Sequence, residues 1–172
     1  MSNPMEEIRI EKVTLNIGIG QVGQEVMNAV TLLERLTGSK AVKTKSKDSA
    51  KGFGLREGLE IGAKTTLRGE EGKEILPQLL SGMDKELSID NFDNQGNFSF
   101  SVEEYINMPG VDYDPEIGMQ GFDVAVTLER PGFRIKRRQV DTKKIGKNHK
   151  ITPEQAAEWV EEEFGVDVKG VK

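Results

Sequence analysis

Apolar or methyl-bearing side chains recur at every second position in four separate stretches of this chain. Val13-Leu15-Ile17, Ala63-Thr65-Leu67, Phe98-Phe100-Val102 and Phe122-Val124-Val126-Leu128 each send one face of an extended strand into a core and leave the other face polar. A strand of that kind needs cover on one side only, so the chain must build a sheet with one buried face. Ile8 and Ile10 alternate in the opposite phase to Val13, and the slip at Glu11-Lys12 predicts a bulge or an edge position.

The cover comes from segments of helical period. Val22, Val26, Val30, Leu33 and Leu36 form one stripe, and Gly38 is placed to end it. Ile75, Leu76, Leu79, Leu80 and Met83 predict a second helix, kinked or started anew at Pro77. Thr152-Pro153-Glu154-Gln155 combines a capping box with proline at the first helical position and opens a helix over 153–164, with Ala156, Trp159, Val160 and Phe164 on its apolar side. Ala41 to Lys45 reads as extended, and Ser46 to Gly54, rich in Ser, Gly and Lys without a period, as a loop. Strands patterned on one face plus two or three helices predict an α/β (α+β) two-layer sandwich, mainly antiparallel, with helices on one face and a single domain over residues 1–172. The uncovered face would present Lys64, Thr66 and Arg68.

Net charge is −5, which first argues against a polyanion partner, but the distribution reverses that inference. Lys40 to Arg68 carries +5 and Arg130 to Lys150 carries +8, leaving −18 on the other 122 residues. Two basic blocks on an acidic body are the electrostatic footprint of a nucleic-acid site. With no cysteine and one histidine, His149, the chain excludes disulfides, thiolate zinc sites, a cysteine nucleophile and a multi-histidine metal site. The longest apolar runs are a few residues and the first residues lack a signal peptide's apolar stretch, which predicts a soluble, cytosolic protein.

Gly18-Ile19-Gly20-Gln21-Val22-Gly23 satisfies G-x-G-x-x-G between a strand and a helix, so an NADP-binding oxidoreductase is one alternative. The acid expected about 20 residues on is missing: that region reads Ala41-Val42-Lys43-Thr44-Lys45. The other reading of the motif is a tight turn that needs glycine dihedrals. Phe98 and Phe100 could stack on bases, although their alternation reads as a core face. Asp112, Asp114 and Glu116 lack calcium-loop spacing and read as turn chemistry. A general RNA-binding module is the second alternative.

Taken in order, Ile10-Glu-Lys-Val-Thr-Leu-Asn-Ile-Gly-Ile-Gly20, Leu36-Thr-Gly38, Lys43-Thr-Lys-Ser46, Leu55-Arg-Glu-Gly58, Ile61-Gly-Ala-Lys-Thr-Thr-Leu-Arg68, Gly96-Asn-Phe-Ser-Phe100 and Val111-Asp-Tyr-Asp114 resemble the ribosomal protein L-five family. Gly121-Phe-Asp-Val124 and Arg130-Pro-Gly-Phe-Arg134 fit its archaeal form. Ser39 stands where the family usually has glutamine, Ser101 where glycine is common, and Met108-Pro109-Gly110 replaces a more usual Phe-Pro-Glu.

The resemblance implies a structural protein of the large ribosomal subunit, with no catalysis and no cofactor. It implies that the sheet and its loops bind 5S rRNA and attach it in the central protuberance, near 23S rRNA and neighbouring proteins. It further implies a loop at 46–54 that reaches the P-site tRNA, and a bridge to a protein of the small-subunit head. The residues expected on rRNA are Lys43, Lys45, Arg56, Lys64 and Arg68 on phosphates, with Asn16 and Thr66 on sugars or base edges. On the tRNA side they are Lys47, Ser49, Lys51 and Gly52. Further RNA contacts are expected from Arg130, Arg134, Lys136, Arg137, Arg138, Lys147 and His149.

Overall fold

The computed structural model describes residues 3–49, 52, 54–83 and 86–170. Five strands form one antiparallel sheet: β1 (Arg9–Gly18), β2 (Val42–Lys45), β3 (Glu60–Arg68), β5 (Phe98–Val102) and β6 (Phe122–Glu129), in the order β2-β3-β1-β6-β5. Helix α1 (Gln24–Thr37) packs chiefly on β3, and α2 (Glu70–Ser81) packs on β1 and β3. Helix α3 (Pro153–Phe164) adds Ala156, Ala157 and Val160 to the same core. Phe98 and Phe100 are buried with it, so the stacking-platform reading of these two rings is excluded.

Local sequence explains most of these boundaries. The slip at Glu11 is a bulge, where the β1–β6 register shifts between Ile10 and Lys12. Gly38 ends α1 in the left-handed region (φ 64°) and returns its N–H to the Glu34 carbonyl. Thr152 and Gln155 form the reciprocal capping box that opens α3.

Three details depart from expectation. Val22 is 57% exposed and lies before α1, because the stripe begins only where Val26 meets the sheet. Pro77 neither kinks the chain into two helices nor starts one: α2 begins at Glu70 and runs through it. Pro77 sits on the exposed side, while Ile75, Leu76, Leu79 and Leu80 hold the helix to the core on the other. A two-stranded parallel pair, β4 (Glu86–Ser88) with β7 (Asp167–Lys169), fastens the end of the chain; strands of three residues are too short for a period to show.

Candidate nucleic-acid interface

The buried face of the sheet dictates the open one. Val13, Leu15 and Ile17 enter the core opposite Leu67, Thr65 and Ala63. Their neighbours therefore face outward: Lys12 opposite Arg68, Thr14 opposite Thr66, Asn16 opposite Lys64 and Gly18 opposite Gly62. On the other side of β1, Asn16 lies opposite Asp123, whose carboxylate accepts from Ser101 Oγ at 2.6 Å. Lys64, Arg68, Ser99 and Ala125 are exposed, so none of the described helices covers this side. The open face is cationic over β1 and β3 and turns weakly acidic over β6.

Like charges directly across a strand pair destabilise a sheet, and Lys12 and Arg68 are such a pair. Neither they nor Lys64 has an ion-pair partner among the described residues. The carboxylates closest in register, Glu11 in the bulge and Glu129 on β6, are both taken by Arg137. A break of local rules of this kind marks a candidate functional surface.

Residues 130–150 fold back as a hook. Phe133 is buried, and Arg137 ties the hook to Glu11 and, at 2.6 Å, to Glu129. Arg138 donates from Nε and Nη2 to the Asp141 carbonyl at 2.9 and 2.7 Å, with Asp141 in the left-handed region (φ 52°). This attachment brings the second basic block to the end of the sheet that carries Lys12 and Arg68. Arg134, Lys136, Lys143, Lys144 and Lys147 stay at the surface of it.

Three of the residues expected on RNA have partners within the fold. Arg130 is only 8% exposed, and its guanidinium donates to the Lys150 carbonyl and Gln155 Oε1, joining the hook to α3. His149 donates from Nε2 to the Pro131 carbonyl at 2.8 Å and packs edge-on against Phe133. Arg137 is the clasp just described. Arg130 and Arg137 thus give Nη donors, and His149 its Nε2–H, to the fold itself. Lys43 falls opposite buried Ala63 by register and pairs with Glu60 at 2.8 Å, a contact that holds the Glu60 carboxyl below its usual range.

Lys45, Lys47 and Arg56 have no ion-pair partner among the described residues. The loop they flank is latched at its base, where Ser46 N–H donates to the Leu59 carbonyl and Gly58 N–H to the Ser46 carbonyl. Ser49 Oγ accepts from Glu57 N–H at 3.1 Å. Gly52 is exposed, while Lys51 lies outside the described residues. Lys12 escaped the sequence reading, because the phase slip beside it hides which face it takes.

The dinucleotide reading of Gly18–Gly23 fails on two counts. The amides of Ile19 and Gly20, which a pyrophosphate would need, both donate to the Ile61 carbonyl at 3.0 Å. Every neighbour pair in the five-stranded sheet is antiparallel, so that sheet has no crevice of the doubly wound kind.

Asp114 accepts from Arg35 and from Glu116 N–H, which supports the turn reading of its segment. The Arg35 contact, and after it the Glu116 amide, hold the Asp114 carboxyl below its usual range. The sign follows: this contribution to stability is complete above the ordinary carboxylate pKa of about 4 and is lost as pH falls below it. Asp114→Asn is therefore expected to narrow the gap between urea midpoints measured at pH 6 and pH 3.

An open, uncompensated cationic strip on a helix-backed sheet is the electrostatic footprint of a polyanion-binding class of protein. Comparison with known families supplies the specific group. The family model described as Ribosomal protein L5 matches residues 3–56, and the model of the C-terminal part of that ribosomal family matches residues 60–159. The large ribosomal subunit protein uL5 of Nanoarchaeum equitans is 47% identical over 98% of this chain and 99% of its own length. Those of Sulfurisphaera tokodaii and Methanobrevibacter smithii are 44% and 41% identical, each over 96% of this chain and over 94% and 97% of their own lengths. The chain belongs to the ribosomal protein L5 family, in its archaeal form, a family of structural proteins without enzymatic activity. β1 and β2 fall in the first matched segment and β3 and β6 in the second, yet they share one sheet.

Proposed function

We propose that the chain binds 5S rRNA through the open face of β1 and β3 and helps attach it in the central protuberance. As a member of its family it is an rRNA-associated structural constituent of the large subunit on the cytoplasmic ribosome, working in translation. The observation that carries the finer reading is the cross-strand pair Lys12–Arg68 beside Lys64, a cationic strip without an ion-pair partner among the described residues. Phosphates supply that partner, and Thr14, Asn16 and Thr66 offer short polar groups to 2′-hydroxyls. Recognition then follows the shape of the RNA and not a base-by-base code.

The hook extends the strip with Arg134, Lys136, Arg138 and Lys147 toward 23S rRNA or further 5S rRNA. The loop at 46–54, with Lys47 at its surface, is the part that reaches the P-site tRNA. Neighbouring proteins of the central protuberance and a protein of the small-subunit head, across a bridge, complete the set of partners.

Binding of isolated 5S rRNA against excess competitor tRNA tests this reading. If about five phosphates are neutralised, log affinity should fall against log salt with a slope of roughly −3.5 to −4.5. Preference for tRNA, or a flat salt response, would overturn it. In the same assay Lys47→Ala with Lys51→Ala should leave 5S rRNA affinity within about twofold, because the loop serves another partner. A collapse of binding would contradict the division of labour between loop and sheet.

A further inference from the structure

The open face carries carboxylates of its own close to the cationic strip. Thr127 lies opposite Lys12, and Glu129, two residues on, shares its face by alternation. Glu129 therefore stands on the diagonal from Lys12, within reach of two long side chains. Directly opposite Glu129 is Arg9, which pairs with Glu7 at 2.5 Å. Glu11, in the bulge, is the chain neighbour of Lys12. Without a partner of their own, both acids would turn to Lys12 and blunt the strip where Arg68 lies opposite it.

Arg137 keeps them occupied. Its Nη1 donates to Glu11 Oε1 and its Nη2 to Glu129 Oε2 at 2.6 Å. A planar guanidinium can hold two carboxylates in fixed geometry, which the point charge of a lysine cannot. The Glu11 side chain is only 12% exposed and that of Glu129 30%, so both acids are largely shielded from solvent. The hook has other fastenings: Phe133 is buried in the core, and Arg130 donates to the Lys150 carbonyl and Gln155 Oε1. The hold of Arg137 on the two acids is therefore separable from attachment of the hook.

We propose that Arg137 is a positioning residue for RNA binding, acting through Glu11 and Glu129 and not on a phosphate. By holding both acids it leaves Lys12 and Arg68 free for the RNA backbone. This role rests on the reading that the open face of β1 and β3 binds 5S rRNA. The hook and the strip then form one electrostatic unit, in which a cation of the second basic block serves the first.

Affinity of the full chain for isolated 5S rRNA, measured across a salt series, tests this. Arg137→Ala should bind about tenfold more weakly, the loss of one charged contact, with a salt slope flatter by about 0.7 to 0.9. Adding Glu11→Gln and Glu129→Gln to Arg137→Ala removes the liberated charges and should return affinity to within about twofold of the parent, and the slope with it. Adding Glu158→Gln and Glu162→Gln instead, at exposed positions of α3 on the covered side of the sheet, should leave binding as weak as in Arg137→Ala alone. Failure of the first pair to rescue would mean that Arg137 touches the RNA or holds the hook, and rescue by the α3 pair would reduce the effect to bulk charge. Either result overturns the proposal, as does parental affinity in Arg137→Ala. A parent chain that binds 5S rRNA without salt dependence fails the underlying reading, and this role with it, before any variant is compared.

Discussion

Alanine at Lys12, Lys64 and Arg68 together is expected to lower 5S rRNA affinity about a thousandfold in dilute salt. A hydrogen bond to a charged group contributes about 1.5 kcal/mol, so losing three costs about 4.5 kcal/mol, and each factor of ten is about 1.4 kcal/mol. The salt slope should flatten by roughly 2 to 3, from about 0.7 to 0.9 per phosphate contact. A second readout separates binding from folding. Lys12 and Arg68 repel one another across the strands, so the triple variant should unfold at the same urea concentration as the parent or a slightly higher one. A lower midpoint would mean that these cations hold the sheet and not a ligand.

Gly62→Ala is expected to have the largest effect on stability. Gly62 lies opposite both Gly18 and Thr44, with strands on either side of it. A Cβ built there would stand 2.4 Å from the Ile17 carbonyl oxygen and 2.8 Å from Thr44 Oγ1. A backbone carbonyl within the sheet cannot rotate away freely, so β3 would have to separate from β1 at this end of the open face. Overpacking of this kind costs about 3 kcal/mol, measurable as a fall in the urea midpoint. Gly146→Ala is the control: its φ of −58° suits alanine, and no described atom lies within 4 Å of the new Cβ. That change should be neutral or stabilise by about 0.5 kcal/mol.

Periodicity carried the sheet because a half-buried strand writes its burial into alternate residues, and Phe98–Val102 and Phe122–Glu129 show it plainly. It carried α1 and α3 because their caps are local: Gly38 ends one, and Thr152 with Gln155 opens the other. It missed the β4–β7 pair, whose partners are far apart in the chain, and misjudged Pro77, because tolerance of an exposed proline is decided by what anchors the opposite face.

The site divides in the same way. Lys64, Thr66 and Arg68 follow from alternation alone, since burial of Ala63, Thr65 and Leu67 forces them outward. Within the Arg130–Lys150 block, however, Arg130 and Arg137 look no different in sequence from Arg134 and Arg138. What separates them is Gln155 on α3 and Glu11 in the bulge of β1, which only the folded chain brings near. Charge counts locate a basic segment; partners from distant elements decide which of its cations remain for RNA.

The most direct measurement of the central claim is lysine acetylation, read residue by residue, of the chain free and bound to 5S rRNA. Lys12 and Lys64 should be strongly protected in the complex, while Lys73 and Lys169, paired with Glu163 and Glu86 away from the open face, should react equally in both states. Acetylation of Lys12 and Lys64 at the free rate in a saturated complex would show that the RNA lies elsewhere and contradict the account.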